Sequence, residues 1–160
     1  MALIRKIVSG GQTGVDRAAL DAAIFLDLEH GGWCPAGRRA EDGRIPARYL
    51  LIETSERDYS VRTEKNVVES DATLILFCNQ LTGGTLLTLR LAQKHFRPYL
   101  CIDLEEFNQS SVKPRSIVHW IVDQNVSVLN VAGPRESSWP GIGKKASAFL
   151  IEALRVQETF

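Results

Sequence analysis

Ile7-Val8-Ser9-Gly10-Gly11-Gln12-Thr13-Gly14-Val15-Asp16-Arg17 is the stretch whose reading sets the fold. An apolar run over residues 3–8 enters it, and a helical pattern over 17–28 leaves it. Strand, glycine turn, helix is how α/β proteins aim backbone N–H groups at a phosphate. Gly10, Gly11 and Gly14 permit close approach and positive φ. Ser9 and Thr13 add hydroxyls, and Asp16 stands where an N-cap belongs, ahead of the helix formers Arg17-Ala18-Ala19-Leu20. The turn follows neither common fingerprint. Val15-Asp16 stands where a P-loop has Lys-Ser/Thr, and Gly10-Gly11-x-x-Gly14 only approximates G-x-G-x-x-G.

Further along, the construction recurs. Ala72-Thr73-Leu74-Ile75-Leu76-Phe77-Cys78 is the most hydrophobic segment and predicts a strand covered on both faces. Asn79-Gln80-Leu81-Thr82-Gly83-Gly84-Thr85 then makes a second glycine turn, followed by a helix over 85–96. A strand over 98–103, a loop over 105–112, a helix over 114–125 opened by Pro114, and a strand over 126–131 follow. The last strand runs into a third polar loop containing Gly133-Pro134-Arg135-Glu136-Ser137, and a closing helix spans 144–156. Between the first two turns lie a short strand within 30–34, a long Gly/Pro/charge-rich loop through Pro46, an extended segment over 49–54 and a short helix over 62–70. Five β-α alternations predict an α/β fold: a three-layer Rossmann-like sandwich with a central parallel sheet of about five strands. Its polar βα loops then share one sheet edge. Two glycine turns there would grip one phosphorylated ligand at the point where strand order reverses.

The 160 residues fit a single ligand-binding domain over 1–160, and 44% hydrophobic and 24% charged residues are ordinary for a globular protein. Nineteen basic and nineteen acidic residues cancel, so no nucleic-acid partner is expected. No run approaches membrane-spanning length, and no signal-type segment opens the chain. Cys34, Cys78 and Cys101 are widely spaced and odd in number, which suits reduced thiols in the cytoplasm and offers no metal site. Arg38, Arg39 and Arg44 beside Glu41 and Asp42 read either as a solvated charged loop or as an anion clamp over the first turn. Trp33 and Trp139 are candidates for stacking on a flat ring, beside their ordinary use in packing.

Ser9–Arg17, Gly32-Trp33-Cys34-Pro35-x-Gly37-Arg38-Arg39-Ala40-Glu41-Asp42-Gly43, Arg62-Thr63-x-x-Asn66-Val67, Ser70-Asp71-Ala72-Thr73, Gly83-Gly84-Thr85 and Asn130-Val131-Ala132-Gly133-Pro134-Arg135-Glu136-Ser137 together resemble the molybdenum cofactor carrier family. That family is grouped with the Rossmann-like SLOG superfamily, which includes the LOG proteins. The resemblance implies a carrier or binding protein that holds the phosphorylated pterin of molybdenum cofactor (molybdopterin) and passes it to molybdoenzymes as a homo-oligomer, a dimer or tetramer. The expected binding residues are Gly10, Gly11, Gln12, Thr13, Gly14, Asp16 and Arg17 of the first turn, Gly83, Gly84 and Thr85 of the second, Gly133, Arg135, Glu136 and Ser137 of the third loop, and Arg38 and Arg39. A phosphate cradle would equally take a nucleotide, so a nucleotide sensor and a LOG-like phosphoribohydrolase stand as alternatives. LOG hydrolases carry a glutamate on the helix after their glycine turn. Here Leu86-Leu87-Thr88-Leu89-Arg90 occupies that place, leaving Glu41, Asp42, Glu64 or Glu136 to supply a carboxylate from elsewhere.

Overall fold

A computed structural model of the chain describes residues 4–107, 114 and 116–155. In chain order its elements are β1 (Lys6–Val8), α1 (Val15–Phe25), β2 (Glu29–Gly31), β3 (Trp33–Cys34), β4 (Arg39–Ala40), β5 (Gly43–Arg44), β6 (Ile52–Glu53), α2 (Tyr59–Val68), β7 (Ala72–Phe77), α3 (Gly83–Lys94), β8 (Tyr99–Asp103), α4 (Leu104–Phe107), α5 (Ser116–Asp123), β9 (Val128–Ala132) and α6 (Ile142–Arg155).

Five strands form one sheet in the order β2-β1-β9-β7-β8, with every pairing parallel. β9 is central, with Leu129 beside Ile7 on one side and Ala72 on the other. Counted from β9 as the first strand, then β1, β2, β7 and β8, the order becomes 3-2-1-4-5, that of a doubly wound sheet. The chain thus carries its first strand at its end. The switch point lies between β9 and β7, and the crevice outside their carboxyl ends is where such sheets bind ligands.

Hydrophobic pattern explains the layers. Ala72, Leu74 and Leu76 are fully buried on one face of β7, in a core with Val15, Ala19 and Ala22 of α1, Ile117 and Ile121 of α5, and Ala146, Phe149 and Leu150 of α6. Thr73 and Ile75, also fully buried, alternate onto the face under α2 and α3, where Val67, Leu91 and Ala92 cluster. Burying each of Leu74, Ile75 and Leu76 is worth about 1.5–3 kcal/mol. No helix among the described residues is long and apolar enough to cross a membrane.

The structure shifts several expected boundaries for local reasons. The strand expected within 30–34 breaks at Gly32, at φ 126°, where a Cβ would lie 2.4 Å from the Ser9 carbonyl oxygen. The long loop is partly ordered as strands: β4 pairs antiparallel with β5, and β3 pairs parallel with β6. Helix α2 starts three residues before the expected Arg62, because the Asp58 carboxylate accepts from Ser60 N–H at 2.8 Å and caps it. Helix α3 starts at Gly83, so the glycines form its first turn. Asp16 is no cap: it lies inside α1, and Gly14 holds the cap position with no side-chain bond. The expected loop over 105–112 opens with α4, and its remainder from 108 lies outside the described residues, as do residues 115 and 156 of the two expected C-terminal helices.

Candidate ligand-binding cleft

A cleft of about 640 Å³ opens at the switch point. Its walls are Ala132–Arg135 with Ser137 and Ser138 after β9, Thr82–Thr85 with Leu87 and Thr88 from α3, Asp58–Ser60 with Arg62 and Thr63 from α2, and Gln12 and Asp16 from the first turn. This volume falls in the range of small-molecule sites, about 300–1,000 Å³.

The N-terminus of α3 is one pole of the cleft. Its first helical bond runs from Leu86 N–H to the Thr82 carbonyl at 3.2 Å, and Thr82 supplies no side-chain cap. The N–H groups of Gly83, Gly84 and Thr85 therefore have no protein acceptor among the described residues. Gly83 takes φ +53°, and a Cβ on either glycine would meet nothing within 4 Å, because the space in front of them is cleft. Free N–H groups and the helix dipole together favour an anion here.

The floor is an ion pair. Arg62 Nη1 lies 3.2 Å from the Asp16 carboxylate, with side chains only 12% and 4% exposed. Gly10 makes room for it: a Cβ there would fall 1.8 Å from Arg62 Nη1. Burial pushes the Asp16 carboxyl above its ordinary range, with Arg62 pulling the other way. Above the floor, Tyr59 gathers guanidinium groups, with Arg39 4.3 Å from its ring centroid and Arg62 and Arg135 each at 5.6 Å. Neither Arg39 nor Arg135 is in ion-pair contact with a carboxylate among the described residues.

Gln12 is 5% exposed and its amide orientation is fixed. Its Oε1 accepts from the backbone N–H of Thr13 at 3.1 Å and of Glu41 at 2.9 Å. A flipped amide would set NH₂ against two donors, so Nε2 must face away from them, and it has no acceptor among the described residues.

The rest of the first glycine turn does structural work. Gly14 and Gly133 are where two βα loops meet: a Cβ on Gly14 would lie 2.4 Å from the Pro134 carbonyl oxygen, and one on Gly133 2.2 Å from that of Leu76. Gly11 backs onto Leu51 and Ile45 instead of the cleft. Thr13 donates to the Glu41 carboxylate, which also accepts from the Ser137 N–H and hydroxyl. These bonds, Ser137 first, hold Glu41 below its usual pKa. Arg17 binds Asp42 and the Gly11 carbonyl. So the charged hairpin β4–β5 staples the turn through its acids.

The expected site residues therefore divide. Gln12, Asp16, Gly83, Gly84, Thr85, Gly133, Arg135 and Ser137 come together on the cleft. Gly10, Gly11, Thr13, Gly14 and Arg17 support it from behind. Arg38 is 8% exposed and spends its donors on the carbonyls of Ile45, Pro46, Tyr49 and Leu51, which folds the loop and leaves no anion clamp. Arg39 reaches the site only through Tyr59. Glu136 accepts from the N–H groups of Gly141 and Gly143 at the start of α6. Trp33 donates to Glu69 and lies under Lys65, while Trp139 packs on the core, so neither lines the cleft. Of the alternative carboxylates, Glu64 faces His95 at 3.6 Å, and Glu41, Asp42 and Glu136 are engaged as described. Sequence reasoning missed Tyr59, Ser60, Arg62 and Thr63. The available signal was Arg62-Thr63-x-x-Asn66, one helix turn in which Asn66 brackets Trp33 through its N–H and carbonyl and so orients α2.

A doubly wound parallel sheet flanked by helices is a Rossmann-like α/β fold. Residues 7–154 match the family model described as "Circularly permutated YpsA SLOG family", and the order counted from β9 is consistent with a permuted doubly wound sheet. The chain belongs to this circularly permutated SLOG family. It is 45% identical to a protein of solved structure named "Putative molybdenum carrier protein" from Syntrophus aciditrophicus SB, with a TM-score of 0.88 over 95% of each chain. No curated protein matches the sequence.

Proposed function

We propose that this chain is a binding protein that holds a phosphorylated small molecule in the switch-point cleft, with a phosphoryl group on the N–H groups of Gly83, Gly84 and Thr85. The observation that carries this reading is the uncapped N-terminus of α3 on the cleft wall, whose first three N–H groups have no acceptor among the described residues. The name of the 45%-identical relative favours the phosphorylated pterin of molybdenum cofactor as the cargo. A carrier suits the site better than a hydrolase. The carboxylates lining the cleft are Asp16, paired with Arg62, and Asp58, which caps α2. Transfer to molybdoenzymes and homo-oligomer formation belong to the same reading.

Native mass spectrometry with phosphorus and molybdenum analysis of freshly purified protein tests it. A co-purified molybdenum-bearing pterin is expected. A nucleotide in its place would overturn the cargo and keep the cradle. The Gly84→Val variant should come out empty, and a loaded Gly84→Val protein would overturn the cradle as well.

A further inference from the structure

The α3 N-terminus satisfies one anion, yet the cleft has a second group of donors with nothing to receive them. Gln12 Nε2 and Arg62 Nε are buried, belong to residues that line the cleft, and have no acceptor among the described residues. Arg135 lines the same wall without an ion pair among the described residues, held near Tyr59. The acids nearby do not serve these donors. Asp16 meets Arg62 through Nη1 only, Asp58 is turned to Ser60, and Glu41 holds Thr13 and Ser137. Buried donors without acceptors are costly, so each calls for a partner, and on a cleft wall a bound anion supplies one. Planar guanidinium groups suit phosphoryl oxygens in particular.

Resting on the phosphate-binding reading above, we propose that the ligand carries two phosphoryl groups: a pyrophosphate ester, one phosphoryl seated on Gly83–Thr85 and the other on Gln12, Arg62 and Arg135. Arg39 positions Arg135 and Arg62 by sharing the Tyr59 ring. The ligand class is therefore a pyrophosphate ester of the cargo, and not a simple monophosphate. The cleft has room for this, since about 640 Å³ is far more than one phosphate fills.

Calorimetric titration of the full chain with inorganic phosphate, pyrophosphate, AMP and ADP tests the proposal. The diphosphates should bind at least about tenfold more tightly than their monophosphate counterparts, the worth of one or two charged hydrogen bonds. Arg135→Ala should bring that ratio to within about threefold while monophosphate binding persists, because only the second pole is lost. Gln12→Leu should act likewise, and melting curves check that each variant is folded. Arg97→Ala removes the same unit of charge from an exposed position before β8 and should keep the wild-type ratio. Equal affinity for the two classes, or a ratio that survives Arg135→Ala and Gln12→Leu, or one that falls equally in Arg97→Ala, overturns the second pole and leaves the first. If no probe binds the wild-type chain, the cradle at α3 fails and this inference falls with it.

Discussion

Gly10→Ala should be among the most damaging small substitutions in this chain, and the reason is electrostatic. The new methyl would sit 1.8 Å from Arg62 Nη1 and 2.3 Å from Cζ, inside the guanidinium. A free arginine would swing aside at little cost. This one is tied at 3.2 Å to Asp16, whose side chain is 4% exposed, so swinging aside strands a buried carboxylate. Removing one partner of a buried pair costs about 3–5 kcal/mol, and the low end, about 3 kcal/mol, applies because Asp16 can take up a proton. For a chain of this size that is a fall in Tm of roughly 6–12 °C. Urea denaturation and calorimetry read the cost directly. The decisive comparison is a double-mutant cycle. In an Arg62→Ala background the methyl meets no guanidinium, so Gly10→Ala should cost less than about 1 kcal/mol. The pH dependence carries a sign. Burial raises Asp16 in the folded state, so the folded chain binds the proton more tightly than the unfolded one. The penalty is full above the raised pKa and is relieved as pH falls through it. Gly10→Ala should therefore be less damaging in mild acid than at neutrality. An equal cost in both backgrounds would refute the reasoning.

Other consequences follow from particular groups. Gly84→Ala lies in the first turn of α3 with open space before it, so it should leave Tm unchanged or raise it slightly while weakening phosphate binding, as calorimetry would show. Tyr49 is fully buried with its hydroxyl donating to Asp21 at 2.6 Å, and burial pushes its pKa to about 12. Only the unfolded chain loses that proton between pH 10 and 12, so about 2–3 kcal/mol of stability should vanish across that window and the slope should flatten in Tyr49→Phe. Cys34, Cys78 and Cys101 are all shifted up by burial, Cys78 to about 11, so a disulfide reagent at pH 8 should label the native chain far more slowly than the urea-unfolded one. Leu76→Ala, in the fully buried core face of β7, should cost about 2–5 kcal/mol by urea denaturation.

Much of this was legible in the chain. The seven-residue apolar run at 72–78 could only be a strand covered on both sides, and it became β7 beside the centre of the sheet. The recurrence of strand, glycine turn and helix placed the loops on one edge. What the sequence could not show was which strand lies at the centre. Order along the chain puts Gly10–Gly14 after the first strand, where a doubly wound sheet keeps its phosphate turn. Order in space gives the centre to β9, so the loops after β9 and β7 own the crevice and the turn after β1 stands one strand away. Its glycines answer to close packing against Pro134, Leu51 and Arg62. Arg38 misled for a related reason: an arginine in a polar loop looks available, and only the folded loop reveals four carbonyls converging on it. Tyr59 and Arg62 were hidden because α2 reads as an ordinary polar helix until its N-terminus is seen to close the cleft.

The most direct test of the central claim is an amide-resolved NMR titration of the full chain with inorganic phosphate. The account predicts saturable shifts at Gly83, Gly84 and Thr85 and at Ala132–Gly133, with the amides of Gly11 and Thr13 nearly still because Ser9 and Gln12 already hold them. Shifts centred on residues 10–14, with 83–85 unmoved, would contradict it.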